Sequence, residues 1–180
     1  MDLWVSPHDF RVRSLNTLSC GFVTSPFGDC IALATDSHLV ALRFCIDRRE
    51  TLCALQLAWP EVTLHHDPLA DALIGKVFQN PEVIPVMGIG TPFQLSVWEF
   101  LRTIPSSSTI TYGEVASAIG RPKAARAVGR AVGANGIAVA IPCHRVVSRG
   151  SLTGYRWGLE RKKQLLAWEL SLRDPLKMPF

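Results

Sequence analysis

The chain has 180 residues, 48% of them hydrophobic and 19% charged, enough to bury a real core as one domain or two small ones and too apolar for disorder. Its net charge of +4 conceals a division: residues 1–90 carry 6 Lys+Arg against 10 Asp+Glu, a net −4, whereas residues 91–180 carry 13 against 5, a net +8. Neither the residues from Met1 to Phe10 nor any later run looks like a leader or a membrane span, which needs about 18 consecutive apolar residues, so a soluble cytoplasmic protein with no membrane partner is expected.

From Gly21 to Cys45 the pattern predicts a small antiparallel meander. Phe22-Val23-Thr24 leads into a turn at Ser25-Pro26-Phe27-Gly28-Asp29, Cys30 to Ala34 follow, Asp36-Ser37 turn again, and Leu39 to Phe44 close the set. Asp67 or Pro68 can open a helix through about Gln79, with Leu69, Leu73, Val77 and Phe78 at core-facing spacing, before Asn80-Pro81 stops it. The first half therefore reads as α/β. Pro81, Pro85, Gly88 and Gly90 punctuate an extended connection, placing a boundary near residue 90 between domains 1–90 and 91–180.

Cysteines 20, 30, 45, 53 and 143 make an odd set without a Cys-x-x-Cys pair, which argues against a disulfide framework or a zinc ribbon. A mixed zinc site drawing on Cys20, Cys30, His38 or His65 fits no ligand spacing, so packed thiols are expected there, with no metal and no cofactor.

The second half reads as mainly helical. A helix from about Pro92 to Thr103 puts Phe93, Val97, Phe100 and Leu101 on one side and ends before Pro105. Thr111 can cap the next helix with Glu114 as its reciprocal partner, Val115, Ala116 and Ile119 give it an apolar face, and Gly120-Arg121 turn the chain. Pro122 suits the first turn of a second helix running to about Gly133. That helix is built of alanine, glycine and valine apart from Lys123, Arg126 and Arg130, whose spacing puts them on one face. A thin basic helix in a half of net +8 suits DNA, although a tightly packed core helix with one solvated side fits the same residues.

Ile141-Pro142-Cys143-His144-Arg145 sets a thiol beside an imidazole after a short apolar run. Thiolate is the reactive form, and a neighbouring histidine can lower a cysteine pKa, so the pair suggests a nucleophile; a packed core cysteine fits the dipeptide alone. On the last helix, Glu169 follows Leu165 by four residues and Leu166 by three, on the apolar face. A carboxylate there is costly unless partnered; a glutamate at a fraying helix end is the alternative.

Taken together, Thr91-Pro92-Phe93-Gln94, Val97-Trp98, Leu101-Arg102-Thr103-Ile104-Pro105, Thr111-Tyr112, Ile119-Gly120-Arg121-Pro122-Lys123-Ala124, Arg126-Ala127-Val128-Gly129, Asn135, Ile141 to Val147, Gly154 to Gly158 and Arg161-Lys162 resemble the O6-alkylguanine-DNA alkyltransferases. The match spans nearly the whole second half. The Tyr155-Arg156-Trp157-Gly158 version is most similar to the C-terminal half of the bacterial adaptive-response protein, without that protein's cysteine-rich metal domain. The first half resembles the family only in layout.

The resemblance implies a ribonuclease-H-like α/β N-terminal domain followed by a mainly α domain with a winged helix-turn-helix. It implies direct, irreversible transfer of an alkyl group from O6-alkylguanine, and from O4-alkylthymine, in double-stranded DNA to Cys143, once per chain, by a monomer bound through the minor groove. His144 would deprotonate Cys143 through a water, oriented by Glu169. Asn135 would organise the turn beneath the site, and Tyr155 would donate to O6. Arg126 would replace the flipped base, Tyr112 would lie by its 3′ phosphate, and Lys123 and Arg130 would join them on the DNA. Adjacent residues of an extended segment face opposite ways, which agrees with an intervening water. Ser106-Ser107-Ser108 stands where relatives often have a Gly-Glu turn, Gly136 where many have proline, and Trp157 is expected to narrow the pocket. A lesion-binding module without transfer and a cysteine hydrolase are the other readings, and the presence of Cys143 weighs against the first.

Overall fold

A computed structural model describes residues 1–12, 16–152 and 154–173, in two compact units. The first comprises Met1–Leu95 and Gly136–Ala140, the second Ser96–Asn135 and Ile141–Phe180. The division thus falls within the first helix of the basic half, and a five-residue segment of that half belongs with the first unit. Domains of 1–90 and 91–180 do not coincide with it. The tail from residue 174 lies outside the described residues.

In the first unit, β2 (Thr17–Ser25), β3 (Gly28–Ala34) and β4 (Leu39–Phe44) form the expected meander. Gly28, at φ 109°, supplies the left-handed turn between β2 and β3. The chain then forms α2 (Arg48–Ala58), capped by Asp47, whose carboxylate accepts the Glu50 N–H at 2.7 Å, and β5 (Thr63–His66). β5 lies parallel to β2, giving the order β4-β3-β2-β5. The meander pairs antiparallel as expected, but the small antiparallel sheet is corrected to a mixed one by the addition of β5. A parallel strand needs a crossover connection, and α2 belongs to it.

Pleating separates the strand faces. Ile31 and Leu33 of β3 join Leu18, Cys20, Val40 and Leu55 in one buried cluster, while Gly21 meets α3 (Pro68–Gln79). On α3 the fully buried positions are Ala70, Ile74 and Val77; Leu73 is half-buried, so the buried stripe is offset from the expected one, and the side chain of Leu69 lies outside the described residues. β1 (Leu3–Val5) precedes α1 (Pro7–Val12) and pairs in parallel with β6 (Met87–Ile89). The segment Gly136–Ala140 docks along β4: the Leu42 N–H donates to the Gly136 carbonyl at 3.0 Å, and the Ala138 N–H donates to the Leu42 carbonyl at 2.8 Å. All five cysteines are free thiols.

The second unit is organised by helices. On α4 (Pro92–Leu101), Val97, Trp98 and Leu101 are buried, and the Trp98 indole donates to the Ala131 carbonyl at 2.8 Å. β7 (Ile110–Thr111) leads into α5 (Tyr112–Ala118), whose capping box forms as the sequence predicts between Thr111 and Glu114. Gly120, at φ 71°, ends the turn after α5. The second helix, α6 (Ala125–Ala134), starts later than Pro122 because residues 121–124 close a turn of their own, with the Ala124 N–H bonded to the Arg121 carbonyl. Lys123 therefore sits in that turn, and only Arg126 and Arg130 share the helix face. β8 (Val146–Val147) pairs in parallel with β7, and α7 (Leu159–Arg173) ends the described chain.

Candidate active site

Cys143, His144 and Arg145 form a single 3-10 turn, all three side chains buried, where the sequence suggested an extended piece. Two local bonds cause this: the Cys143 N–H returns to the Ile141 carbonyl at 2.8 Å around Pro142, and the Arg145 N–H to the Pro142 carbonyl at 3.0 Å. The Asn135 amide at the end of α6 braces the turn, donating to the Ile141 carbonyl at 3.0 Å and to Cys143 Sγ at 3.1 Å. Burial pushes the Cys143 thiol up to about 11, against the opposing pull of the Asn135 amide and of Lys162. At rest this is a protonated thiol that needs a base.

His144 does not touch that thiol. Its Nε2 lies 2.6 Å from Glu169 Oε1, with both side chains out of solvent. Burial tends to raise the Glu169 carboxyl, but the bonds and charges of His144 and Arg145 outweigh it and hold the group at about 2. An ionised carboxylate only accepts, so Nε2 carries the proton and Nδ1 keeps the lone pair. Nδ1 has no hydrogen-bond partner among the described residues. Burial holds the His144 pKa below the ordinary histidine value despite the upward pull of Glu169. The residue is a neutral imidazole in the correct tautomer to take a proton at Nδ1.

Glu169 is the hub of the buried network. Arg145 Nε donates to Oε1 and Oε2 at 3.0 and 3.2 Å, Nη2 to Oε1 at 2.8 Å, and Nη1 to the Ile104 carbonyl. From the other side the Ser107 N–H donates to Oε2 at 3.0 Å. Arg145 and Lys162, both fully buried, lie in the motifs quoted from sequence but were given no role there. Lys162 donates to the carbonyls of Val146 at 2.6 Å and Gly154 at 3.0 Å, tying β8 to the turn that carries Tyr155. The available signal was its place three residues before Leu165 and seven before Glu169 on one helix stripe.

Cys143 opens on a cavity of about 130 Å³ lined by Tyr112, Gly129, Val132, Gly133, Gly154, Tyr155 and Arg156. That is small beside the roughly 300–1,000 Å³ of drug-sized sites, and suits one flat group. Gly154 sits at φ 73°, where a Cβ would lie 3.1 Å from the Tyr112 hydroxyl. Arg156 reaches the Gly133 carbonyl at 3.3 Å, with its guanidinium 5.9 Å from the Trp157 ring centroid. Trp157 is not among the lining residues; it packs edge-on against Tyr155, so any narrowing by it is indirect. Of the expected residues, Cys143, Tyr155 and Tyr112 meet at the cavity, Asn135, His144 and Glu169 lie behind the thiol, and Lys123, Arg126 and Arg130 are exposed outside it.

Residues 92–171 match the family model for the DNA-binding domain of 6-O-methylguanine DNA methyltransferase. A crystal structure of Mycobacterium tuberculosis OGT in complex with DNA is 35% identical, with 85% of this chain and 93% of that one covered and a TM-score of 0.71. The chain belongs to the O6-methylguanine-DNA methyltransferase family. Among curated methyltransferase relatives, the Salmonella typhimurium methylated-DNA–protein-cysteine methyltransferase is 49% identical over 104 residues, 57% of this chain and 60% of that protein. The Escherichia coli bifunctional transcriptional activator/DNA repair enzyme Ada is 54% identical over 91 residues, 50% of this chain and 26% of Ada. The match thus spans less than two thirds of either curated relative, and the residues that the family model matches, 92–171, include the thiol.

Proposed function

We propose that this protein repairs DNA directly, taking the alkyl group of O6-alkylguanine, and of O4-alkylthymine, onto Cys143 in a single irreversible turnover. The observation that carries the reading is the buried thiol held at 3.1 Å by Asn135, facing a small cavity, with a neutral histidine and its carboxylate behind it. His144 Nδ1 takes the thiol proton through a water, Glu169 stabilises the imidazolium, and the thiolate sulfur attacks the alkyl carbon. The carbon–oxygen bond breaks, the electron pair leaves with guanine, and the Tyr155 hydroxyl donates to O6 as charge builds there. Nothing in that scheme regenerates the thiol.

An alkyl group stacked inside a duplex is out of reach of a buried thiol, so the nucleotide must be flipped, at about a few kcal/mol. In this reading α5, its turn and α6 act as a winged helix-turn-helix at the minor groove. Arg126 fills the gap in the stack, Tyr112 lies by the target's 3′ phosphate, and Lys123 and Arg130 contact the DNA. The small residues Gly129 and Gly133 that line the cavity allow close approach, and the degenerate minor-groove pattern suits an agent that must find lesions in any sequence. The reading includes a ribonuclease-H-like first unit, a monomer and a cytoplasmic setting, and requires no cofactor.

The test is to incubate the protein with duplex DNA carrying labelled O6-methylguanine and map the label. One methyl per chain on Cys143 supports transfer. Binding without label points to a lesion-binding module, and more than one product per chain to a turnover enzyme; either result defeats the proposal.

A further inference from the structure

Ser107, in the loop between α4 and β7, has a φ of 63°, a left-handed conformation that only one other non-glycine among the described residues, Val139, also adopts. An L side chain there crowds its own backbone, so the conformation persists where the surroundings compensate. Here both of its donors reach one residue, 62 positions further along the chain. The backbone N–H meets Glu169 Oε2 at 3.0 Å, and the hydroxyl meets the Glu169 main-chain carbonyl at 2.8 Å. The tip of the glutamate and its backbone are both fixed from a single loop residue.

The arrangement of donors around the carboxylate shows what this does. Oε1 is shared by His144 and by Arg145 Nη2 and Nε, while Oε2 receives the Ser107 amide and the longer branch of the Nε contact at 3.2 Å. The hydroxyl bond fixes the backbone from which that carboxylate hangs, and without it the glutamate is free to shift so that its carboxylate turns toward the guanidinium and away from the imidazole. We propose that Ser107 is a positioning residue for alkyl transfer, its left-handed amide and its hydroxyl holding Glu169 in the orientation that presents His144 to the thiol. This rests on the base role of His144 in the function proposed above. The charged groups facing His144 are Glu169, Arg145 and Lys162, and those facing Glu169 are His144 and Arg145. Of these, Glu169 raises the imidazole's pKa, so loosening it weakens the base.

The test is single-turnover methyl transfer from an O6-methylguanine duplex, at saturating protein and across pH, by the full chain and its S107G and S107A variants. Melting temperature and duplex affinity are measured in parallel. Both variants keep the amide bond to Oε2 and lose the hydroxyl bond, so they read the hydroxyl's share of the positioning; Ser107→Gly also relieves the backbone and keeps near-native stability, whereas Ser107→Ala does not. Transfer should slow by about fivefold in both, the scale of one net hydrogen bond, with duplex affinity unchanged and the acid limb of the rate profile moved to lower pH. Native rates in both variants, a slowing that follows melting temperature so that only Ser107→Ala is impaired, or a slowing without displacement of the pH profile would each overturn the assignment. A native chain that places no methyl on Cys143 would sink the function itself, whereas an active native chain with indifferent variants sinks only the role of Ser107.

Discussion

At the scale of single residues the site depends on where charge is buried. Glu169 is almost inaccessible and makes its ion pairs there, so Glu169→Gln leaves the Arg145 guanidinium without its counter-charge and should cost about 3–5 kcal/mol in denaturant unfolding. A loss below 1 kcal/mol would mean that the hub is dispensable. The same group sets the acid limit. Its folded pKa of about 2 lies below the ordinary 4.5, so its contribution, about 3 kcal/mol, is complete above pH 4.5 and is lost as pH falls toward 2. His144 acts in the same direction, because its lowered folded value means that the unfolded chain gains a proton first below about 6.5. Melting temperature should therefore decline below pH 6.5 and fall steeply below 4.5; a flat profile would contradict the assigned charge states. Asn135→Ala removes the donor to Sγ and should slow transfer by roughly tenfold or more while leaving duplex affinity intact, as measured in a single-turnover assay. Cys143 and His144 stood out because they share one short motif, whereas Asn135 and Glu169 were singled out through the family resemblance; the structure brings all four together. Arg145 and Lys162 were not read as site residues, since charge in a sequence ordinarily means solvent, and only the three-dimensional supply of acceptors makes their burial affordable.

At the scale of elements, local chemistry was readable where it is local. The Thr111–Glu114 capping box needs four residues and forms as expected, and Thr111→Ala should cost about 1 kcal/mol, a fall of roughly 2–4 °C in melting temperature. The start of α6 was misjudged because Pro122 suits a first helical turn as well as the separate turn that it occupies. The parallel β5 was also invisible: strand direction is set by a crossover, and α2 carries no signal for which strand its successor will join. Gly21 shows how tightly α3 lies on β2. A Cβ there would come within 2.6 Å of the Ala70 carbonyl carbon and the Asp71 nitrogen, both backbone atoms that cannot swing aside. Gly21→Ala should therefore lower the melting temperature more than Thr111→Ala does, and the reverse order would show that α3 can lift off.

At the scale of the molecule, the charge division was plain in the sequence, and its use is measurable. If Arg130 neutralises a phosphate, Arg130→Ala should lower the slope of log affinity against log salt by about 1 without altering the transfer rate once DNA is saturating. The discontinuous membership of Gly136–Ala140 was not legible at all, because nothing in five small or aliphatic residues announces which strand they will lie beside. Its consequence is that the compact units do not follow chain order. Seven and five residues before the thiol, the backbone is still bonded to Leu42 at the edge of the acidic half's sheet, and Val139 then turns through φ 65°. A fragment cut at residue 90 would contain every residue of the candidate active site and yet leave the Gly136 carbonyl and the Ala138 amide without their native partners. Cutting the chain at residue 90 therefore removes the strand edge against which the segment leading to the Cys143 turn is laid.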